Sequence, residues 1–175
     1  WQLGYVTISS LVFYAWWYPP AVLLMIAMIV GCWWMLRIVW HDRSRLALCV
    51  CISLIPLVLY KYADFLFATI ESISGIGTPR LGWALPLGVS FVTFTIIGYL
   101  VDTARQPEKK PPGFWSTAVY LTFFPHLIAG PILRARHILP QLQQMTIARA
   151  NFMPNLALFT VGILKKVLVA DPVGA

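Results

Sequence analysis

Long apolar segments separated by short polar loops dominate this sequence and restrict what it can fold into. Hydrophobic residues make up 59% of the 175 residues and charged residues only 11%. A soluble domain contains about 25% charged residues. Several apolar runs approach the ~20 residues that a helix needs to cross a bilayer. The pattern predicts an all-α polytopic membrane protein in which residues 1–175 form a single transmembrane region.

The basic residues, which give a net charge of +7, fall in short clusters between the apolar segments. Such clusters favour the positive-inside rule over nucleic-acid binding. Arg37, Arg43 and Arg45 place the loop after the second segment in the cytoplasm, and Arg105 and Lys110 place the loop after the fourth there as well. The predicted segments are 3–17, 21–40, 46–70, 83–101, one starting near 114, and 154–170.

The fifth segment is interrupted by Pro125, His126, Gly130 and Pro131 within residues 123–136. Proline removes a backbone donor, and freed backbone groups survive in lipid only inside protein or beside water. Turning back there would also keep the arginines at 134 and 136 on the cytoplasmic side. We therefore predict a broken, re-entrant element at about 114–133 and a surface helix near 137–150. The alternative is an ordinary spanning helix with a proline kink.

Lys61 and Asp64 are charged residues within an apolar segment, at a spacing that places them on one helical face. Charges in a membrane tend to pair or to face a polar interior. The spacing favours a structural ion pair, and the alternative is that both line a polar cavity.

Ser90 and Thr93 share a face of the fourth segment, whose cytoplasmic end carries Asp102. Hydroxyl groups in membrane helices bond neighbouring helices, or else line a polar tunnel. The hydroxyls alone favour packing, and Asp102 is positioned to pair with Arg105.

No enzyme motif of the soluble kind is present in the sequence. His126 is the only histidine within an apolar stretch, and such a residue more often bonds a carbonyl freed by proline than acts as a base, so it is a weak catalytic candidate. The cysteines at 32, 49 and 51 have no metal-ligand spacing and are interpreted as packing residues. We predict no metal site.

Five blocks in order resemble the membrane-bound O-acyltransferase family, in its branch of bacterial alginate and peptidoglycan O-acetyltransferases. The blocks are Phe13–Trp17, Lys61–Phe65, Leu85–Phe94, Phe123–Ile132 and Gly162–Asp171. Each block alone is weak, but five in the same order are strong, and the match extends over nearly the whole chain. The resemblance implies that the chain is the N-terminal part of a longer O-acyltransferase domain and is inactive alone.

The resemblance also implies a fold and a chemistry. Tilted helices surround a thinned centre, and a cytoplasmic funnel admits acetyl-CoA or another acyl thioester. The acyl group, acetyl in this branch, passes to hydroxyls of an envelope or extracellular polysaccharide. The family resides in the bacterial inner membrane, so lipid is an expected partner and nucleic acid is not. A periplasmic acetyltransferase partner is compatible with the resemblance. No cofactor is expected to be bound.

The resemblance assigns scaffold and lining roles to this chain, because the family's catalytic histidine is expected downstream. The predicted residues of the substrate tunnel or funnel are Lys61, Asp64, Ser90, Thr93, Asp102, His126, Pro131, Arg134 and Arg136. A transporter or flippase built on broken helices is the alternative function, and a scaffold subunit is a third. The sequence leaves the polysaccharide and the acyl chain open.

Overall fold

The computed structural model describes residues 2–17, 19–75, 77, 79–83, 85–106, 110–127, 133–144 and 152–174. All regular structure in these residues is helical, as predicted. Their contacts divide the chain into one unit that ends at Gln143 and a second that begins at Gln144.

The first two helices match the predicted apolar segments closely. Helix α1 is Gln2–Trp17 and α2 is Pro19–His41. Two helical stretches of the described chain are long and apolar enough to cross a membrane, Pro19–His41 and Arg43–Ser74. Asp42 separates them, and its carboxylate accepts hydrogen bonds from the side chain and backbone of Ser44 and from Arg45. These bonds lower the pKa of Asp42 from its ordinary value.

The third segment is one long helix with a widened turn. It consists of a 3₁₀ turn Arg43–Arg45, α3 Leu46–Leu57, a π-helical turn Val58–Tyr62 and α4 Ala63–Ser74. Pro56 lies just before the π turn and lacks the N–H that would continue the regular ladder. Helix α4 ends at Gly75, whose φ of 69° is the left-handed conformation common at helix ends.

Helix α5, Val89–Arg105, begins six residues later than the predicted start at 83. Gly82 and Gly88 both have positive φ, at 57° and 77°, which takes the backbone out of the right-handed helix. The apolar run from Leu85 to Leu87 is therefore part of the connection and not of the helix.

The fifth segment is broken, as its prolines predict. Helix α6, Phe114–Thr122, stops at Phe123, where ψ is 101°, and α7 is the short turn Phe124–Leu127. Helix α8 follows at Ala135–Gln143, so it begins two residues before the predicted surface helix, of which residues 145–150 lie outside the described chain. Nine residues of α6 extend about 14 Å, less than half of a ~30 Å hydrocarbon core.

The first unit packs around α5, which contacts α2, α3 and α6. Leu36, Val39, Val92, Leu100 and Val119 are fully buried between these helices. At one end Tyr14 of α1 donates a 2.8 Å hydrogen bond to the Leu87 carbonyl. The outer faces stay apolar and exposed, with Trp16 91% exposed and Leu23 75% exposed.

The second unit is a single helical run. It comprises α9 Phe152–Lys165, a π turn Lys166–Ala170 and α10 Asp171–Gly174. The Lys166 Nζ lies 3.6 Å from Asp171 Oδ2 across the turn. The described residues of this run are exposed within the chain.

Replacement of Gly88 should destabilise the fold. An alanine Cβ would lie 3.0 Å from the Leu127 carbonyl oxygen, on a backbone with φ of 77°. We expect Gly88→Ala to lower the free energy of unfolding by about 2 kcal/mol, measured by thermal unfolding of the whole protein in detergent. Gly98 is the matched control, because it lies within α5 with no atom within 4 Å of its Cβ position. Gly98→Ala should be neutral or stabilising by up to about 1 kcal/mol. Equal effects at the two positions would contradict the close approach of α7 to α5.

Candidate functional site

Helix α7 and helix α8 meet opposite ends of α5. Leu127 of α7 lies against Gly88 at the N-terminus of α5, with its carbonyl oxygen 3.0 Å from where a Cβ would stand. Arg134, just before α8, places its Nη1 3.9 Å from Asp102 Oδ1 at the C-terminal end of α5. Leu127 and Arg134 therefore lie at opposite ends of α5.

Two hydrogen bonds hold the returning chain against α6. The Tyr120 hydroxyl donates to the Leu133 carbonyl at 2.7 Å, and Gln143 Nε2 donates to Ser116 Oγ at 3.3 Å. Leu133 thus meets the end of α6 and Gln143 meets its beginning, so α8 runs back along α6. Ala135, Ile138 and Leu142 recur at helical spacing and form the buried face of α8.

A cleft of about 260 Å³ opens where α8 crosses the end of α5 and the loop before α6. Its lining combines apolar side chains with the polar residues Tyr99, Asp102, Gln106, Lys110, Arg136 and Gln143. Tyr99 is buried and its ring packs edge-on against Tyr120 with centroids 4.8 Å apart. Tyr99 thus lines the cleft, and Tyr120 packs against it.

The charges around the cleft are mostly positive. Arg136 and Lys110 line it, and the Arg136 Nε also donates to His137 Nε2 at 3.2 Å. Asp102 is 20% exposed and is faced by Arg134, so its negative charge is partly neutralised. An exposed pair at 3.9 Å contributes at most about 1 kcal/mol. The arrangement can attract and hold an anionic group.

Asp102, Arg134 and Arg136 are the predicted site residues that the fold brings together. Asp102 pairs with Arg134 from another element and not, as the spacing suggested, with the neighbouring Arg105. His126 lies on α7, and its side chain is outside the description. Pro131 lies outside the described residues.

The predicted hydroxyl residues lie away from the cleft, toward the other end of α5. Thr93 is fully buried and donates a 2.8 Å bond to the Val89 carbonyl. Ser90 is half-buried one turn earlier. Twelve residues of helix separate Ser90 from Asp102, a distance of about 18 Å.

Lys61 and Asp64 do not form the expected ion pair, although both belong to the described chain. The Asp64 carboxylate accepts hydrogen bonds from the backbone N–H groups of Leu81 at 2.8 Å and Gly82 at 3.1 Å. Lys61 Nζ lies 5.5 Å from the centre of the Tyr62 ring. Two backbone donors satisfy a carboxylate better than one mobile ammonium group. Asp64 therefore anchors the connection that precedes α5.

Reasoning from the sequence missed Lys110, Tyr99 and Gln143 as members of one cleft. In the sequence, Lys110 served only as a signal of membrane topology. Their convergence depends on α8 folding back, and the amphipathic spacing of Ala135, Ile138 and Leu142 was the available signal.

Similar proteins cover nearly all of this chain. It is 35% identical over 179 residues to the probable alginate O-acetylase AlgI of Pseudomonas aeruginosa, which takes in 96% of this chain and 34% of that protein. It is 34% identical over 174 residues to the AlgI of Azotobacter vinelandii, covering 93% and 35%. It is 28% identical over 201 residues to the peptidoglycan O-acetyltransferase of Helicobacter pylori, covering 95% and 38%.

The chain spans about a third of the length of the curated relatives it matches. No family model matches the chain, and no solved structure matches it.

Removal of the Asp64 carboxylate should release the connection before α5. Trypsin cleaves after Arg80, next to the two N–H groups that Asp64 binds. We expect Asp64→Ala to accelerate cleavage after Arg80 in the whole protein by about tenfold, since two charge-assisted hydrogen bonds restrain local opening by about 1.4 kcal/mol. Lys61→Gln is the control and should leave the rate at Arg80 unchanged. An equal acceleration by Lys61→Gln would restore the ion-pair interpretation.

Proposed function

Because the chain belongs to the membrane-bound O-acyltransferase family, in the branch of the alginate and peptidoglycan O-acetyltransferases, we propose that its protein transfers acetyl groups to hydroxyls of an envelope polysaccharide. The family resemblance drawn from the five sequence blocks is confirmed by these relatives. The acetyl donor in this proposal is a cytosolic thioester such as acetyl-CoA. A periplasmic acetyltransferase partner belongs to the same proposal.

The described unit acts in this proposal as the cytoplasmic mouth of the enzyme. Acyl transfer needs a base that takes the proton of the attacking hydroxyl. The proposal assigns that role to a histidine outside residues 1–175, as the family resemblance implies. Here Lys110, Arg134 and Arg136 bind and orient the anionic part of the donor.

The protein is proposed to be a multi-pass protein of the bacterial inner membrane. Two long apolar helices and the exposed apolar faces of α1 to α4 support this placement. Arg37 and His41 at the C-terminal end of α2 share one cleft with Lys110 before α6, so the two predicted cytoplasmic loops begin and end at the same end of the unit. This common end meets the positive-inside rule.

The hairpin formed by α6, α7 and α8 is proposed to enter the membrane from the cytoplasm and to return to it. Support comes from Leu127, which meets one end of α5, and from Arg134, which pairs with Asp102 at the other. This route keeps the arginine side chains on the donor side. It leaves the opposite side of the membrane to the polysaccharide acceptor.

The observation that carries the proposed function is the basic cleft at the end of α5. A thioester donor such as acetyl-CoA carries phosphate groups, which suit guanidinium and ammonium groups held at a cytosolic surface. Tyr99 adds aromatic surface to the cleft and packs against Tyr120. The position of Ser90 and Thr93 along the same helix extends the proposal toward an inner tunnel.

Loss of the Arg136 charge should weaken donor binding more than turnover. In the whole protein, Arg136→Gln is expected to raise KM for acetyl-CoA about threefold to tenfold, because one exposed charge contact to phosphate is worth on the order of 1 kcal/mol. Arg105→Gln, at the same end of α5 but outside the cleft lining, should change KM less than twofold.

The same kinetic assay tests whether the increase in KM comes from the loss of a contact with phosphate. A phosphate-free acetyl thioester should be used equally well by the Arg136→Gln variant and the unaltered protein. An equal KM increase for that donor would contradict phosphate binding. Absence of acetyl transfer from either thioester to any envelope polysaccharide by the unaltered protein would contradict the function itself.

Topology gives a second prediction. A cysteine in place of Arg136, in whole protein freed of other accessible cysteines, should resist an impermeant thiol reagent added outside the cell and react after permeabilisation. A cysteine in place of Gly77, in the connection before α5, is the control and should react from outside. Labelling of the Arg136→Cys variant from outside would show that the fifth segment crosses the membrane.

A further inference from the structure

We propose that the first unit carries a second binding site, for the phosphate of an anionic membrane phospholipid, at the C-terminal end of α2. Arg37, His41 and Lys110 would hold the phosphate, and the exposed face of α2 would hold an acyl chain. The inference rests on the proposed membrane placement and is independent of acyl transfer.

Two adjoining clefts form this second site. One has a volume of about 470 Å³ and is lined by α2 and the turn after it, including Trp34, Arg37 and His41. The other has a volume of about 480 Å³ and is lined by Arg37 and His41 again, together with Lys110. The shared pair of Arg37 and His41 makes the two clefts one continuous surface.

Contact with an aromatic ring holds the Arg37 guanidinium in place in the structure. It lies 3.8 Å from the centre of the Trp33 ring. That ring packs edge-on against Phe114, with centroids 5.7 Å apart and planes at 90°. A planar guanidinium fixed on an aromatic face loses little further freedom when it binds phosphate.

Asp42, which lines the first of the two clefts, already has hydrogen-bond partners. Asp42 accepts two hydrogen bonds from Ser44 and one from Arg45 Nε, at 3.0 Å, which is why its pKa is lowered. Within the described residues Arg37 and Lys110 form no ion pair with an acid. Both cations therefore stand available to an anionic ligand.

An apolar stripe on α2 favours a lipid over a soluble phosphate. Leu23, Ile26, Val30 and Trp34 are exposed by 75%, 41%, 42% and 62% and follow one another at helical spacing up to Arg37. Exposed tryptophan at the end of an apolar helix marks the headgroup level of a membrane. A phosphate bound at Arg37 would thus have its acyl chains beside the stripe. Inorganic phosphate would make no use of that surface.

The experiment measures lipid binding to the whole protein, purified in a neutral detergent. Phosphatidylglycerol should raise the thermal unfolding midpoint and appear as a bound lipid in native mass spectrometry, and phosphatidylcholine should do neither. Arg37→Gln should raise the apparent Kd for phosphatidylglycerol at least about fivefold. Arg43→Gln is the matched control, because Arg43 lies in the turn that follows α2 but lines neither cleft.

Three results would overturn the proposal. The first is phosphatidylglycerol binding that Arg37→Gln leaves unchanged. The second is an equal loss of phosphatidylglycerol affinity in Arg43→Gln, which would indicate general surface charge. The third is an equal rise of the unfolding midpoint with inorganic phosphate, which would indicate a soluble ligand. Should Arg37→Gln not fold, Lys110→Gln on the exposed loop gives the same reading. Acetyltransferase activity plays no part in the readout, so failure here leaves the proposed function standing.

Discussion

The packing of α7 and of the residues before α8 against the two ends of α5 is the constraint on which the first unit depends. A helix that stops at Phe123 would expose backbone groups that lipid cannot satisfy. In this fold the Phe123 N–H still bonds the Val119 carbonyl at 2.9 Å, and Tyr120 reaches across to the Leu133 carbonyl. Gly88 has no Cβ, which lets Leu127 approach α5 closely. The described chain on both sides of the break therefore packs against protein, and this packing stabilises the hairpin of α6, α7 and α8.

The sequence predicted the parts of this fold that depend on composition. Helices α1 and α2 end within a few residues of the apolar runs, because charges and the Pro19–Pro20 pair interrupt those runs. The break in the fifth segment was equally visible, since proline acts on its own backbone whatever surrounds it.

Features that depend on backbone conformation or on distant contacts were not predictable in the same way. Leu85 to Leu87 are apolar but not helical, because Gly82 and Gly88 adopt left-handed φ values that hydropathy does not reveal. Asp64 has Lys61 within helical reach, yet its carboxylate binds N–H groups 17 and 18 residues away.

The cleft was only partly predictable, because it too depends on contacts between residues distant in the sequence. Asp102 and Arg136 were identified by charge, whereas Tyr99 and Gln143 join them only through tertiary packing.

Concentration of cations at one end of the unit connects the proposed donor cleft with the proposed lipid site. Lys110 lines the cleft at the end of α5 and also the cleft beside His41, so the two surfaces are neighbours. Charges on a common surface within the ~8–10 Å screening length add their potentials. A phosphate held at Arg37 would then lower the positive potential felt at Lys110. The closer a bound lipid phosphate lies to Lys110, the more the donor must depend on Arg136, which lines the donor cleft, and on Arg134, which pairs with Asp102 in that cleft. The chain at the start of α8 thus supplies the cations, Arg134 and Arg136, that a lipid headgroup at α2 does not neutralise.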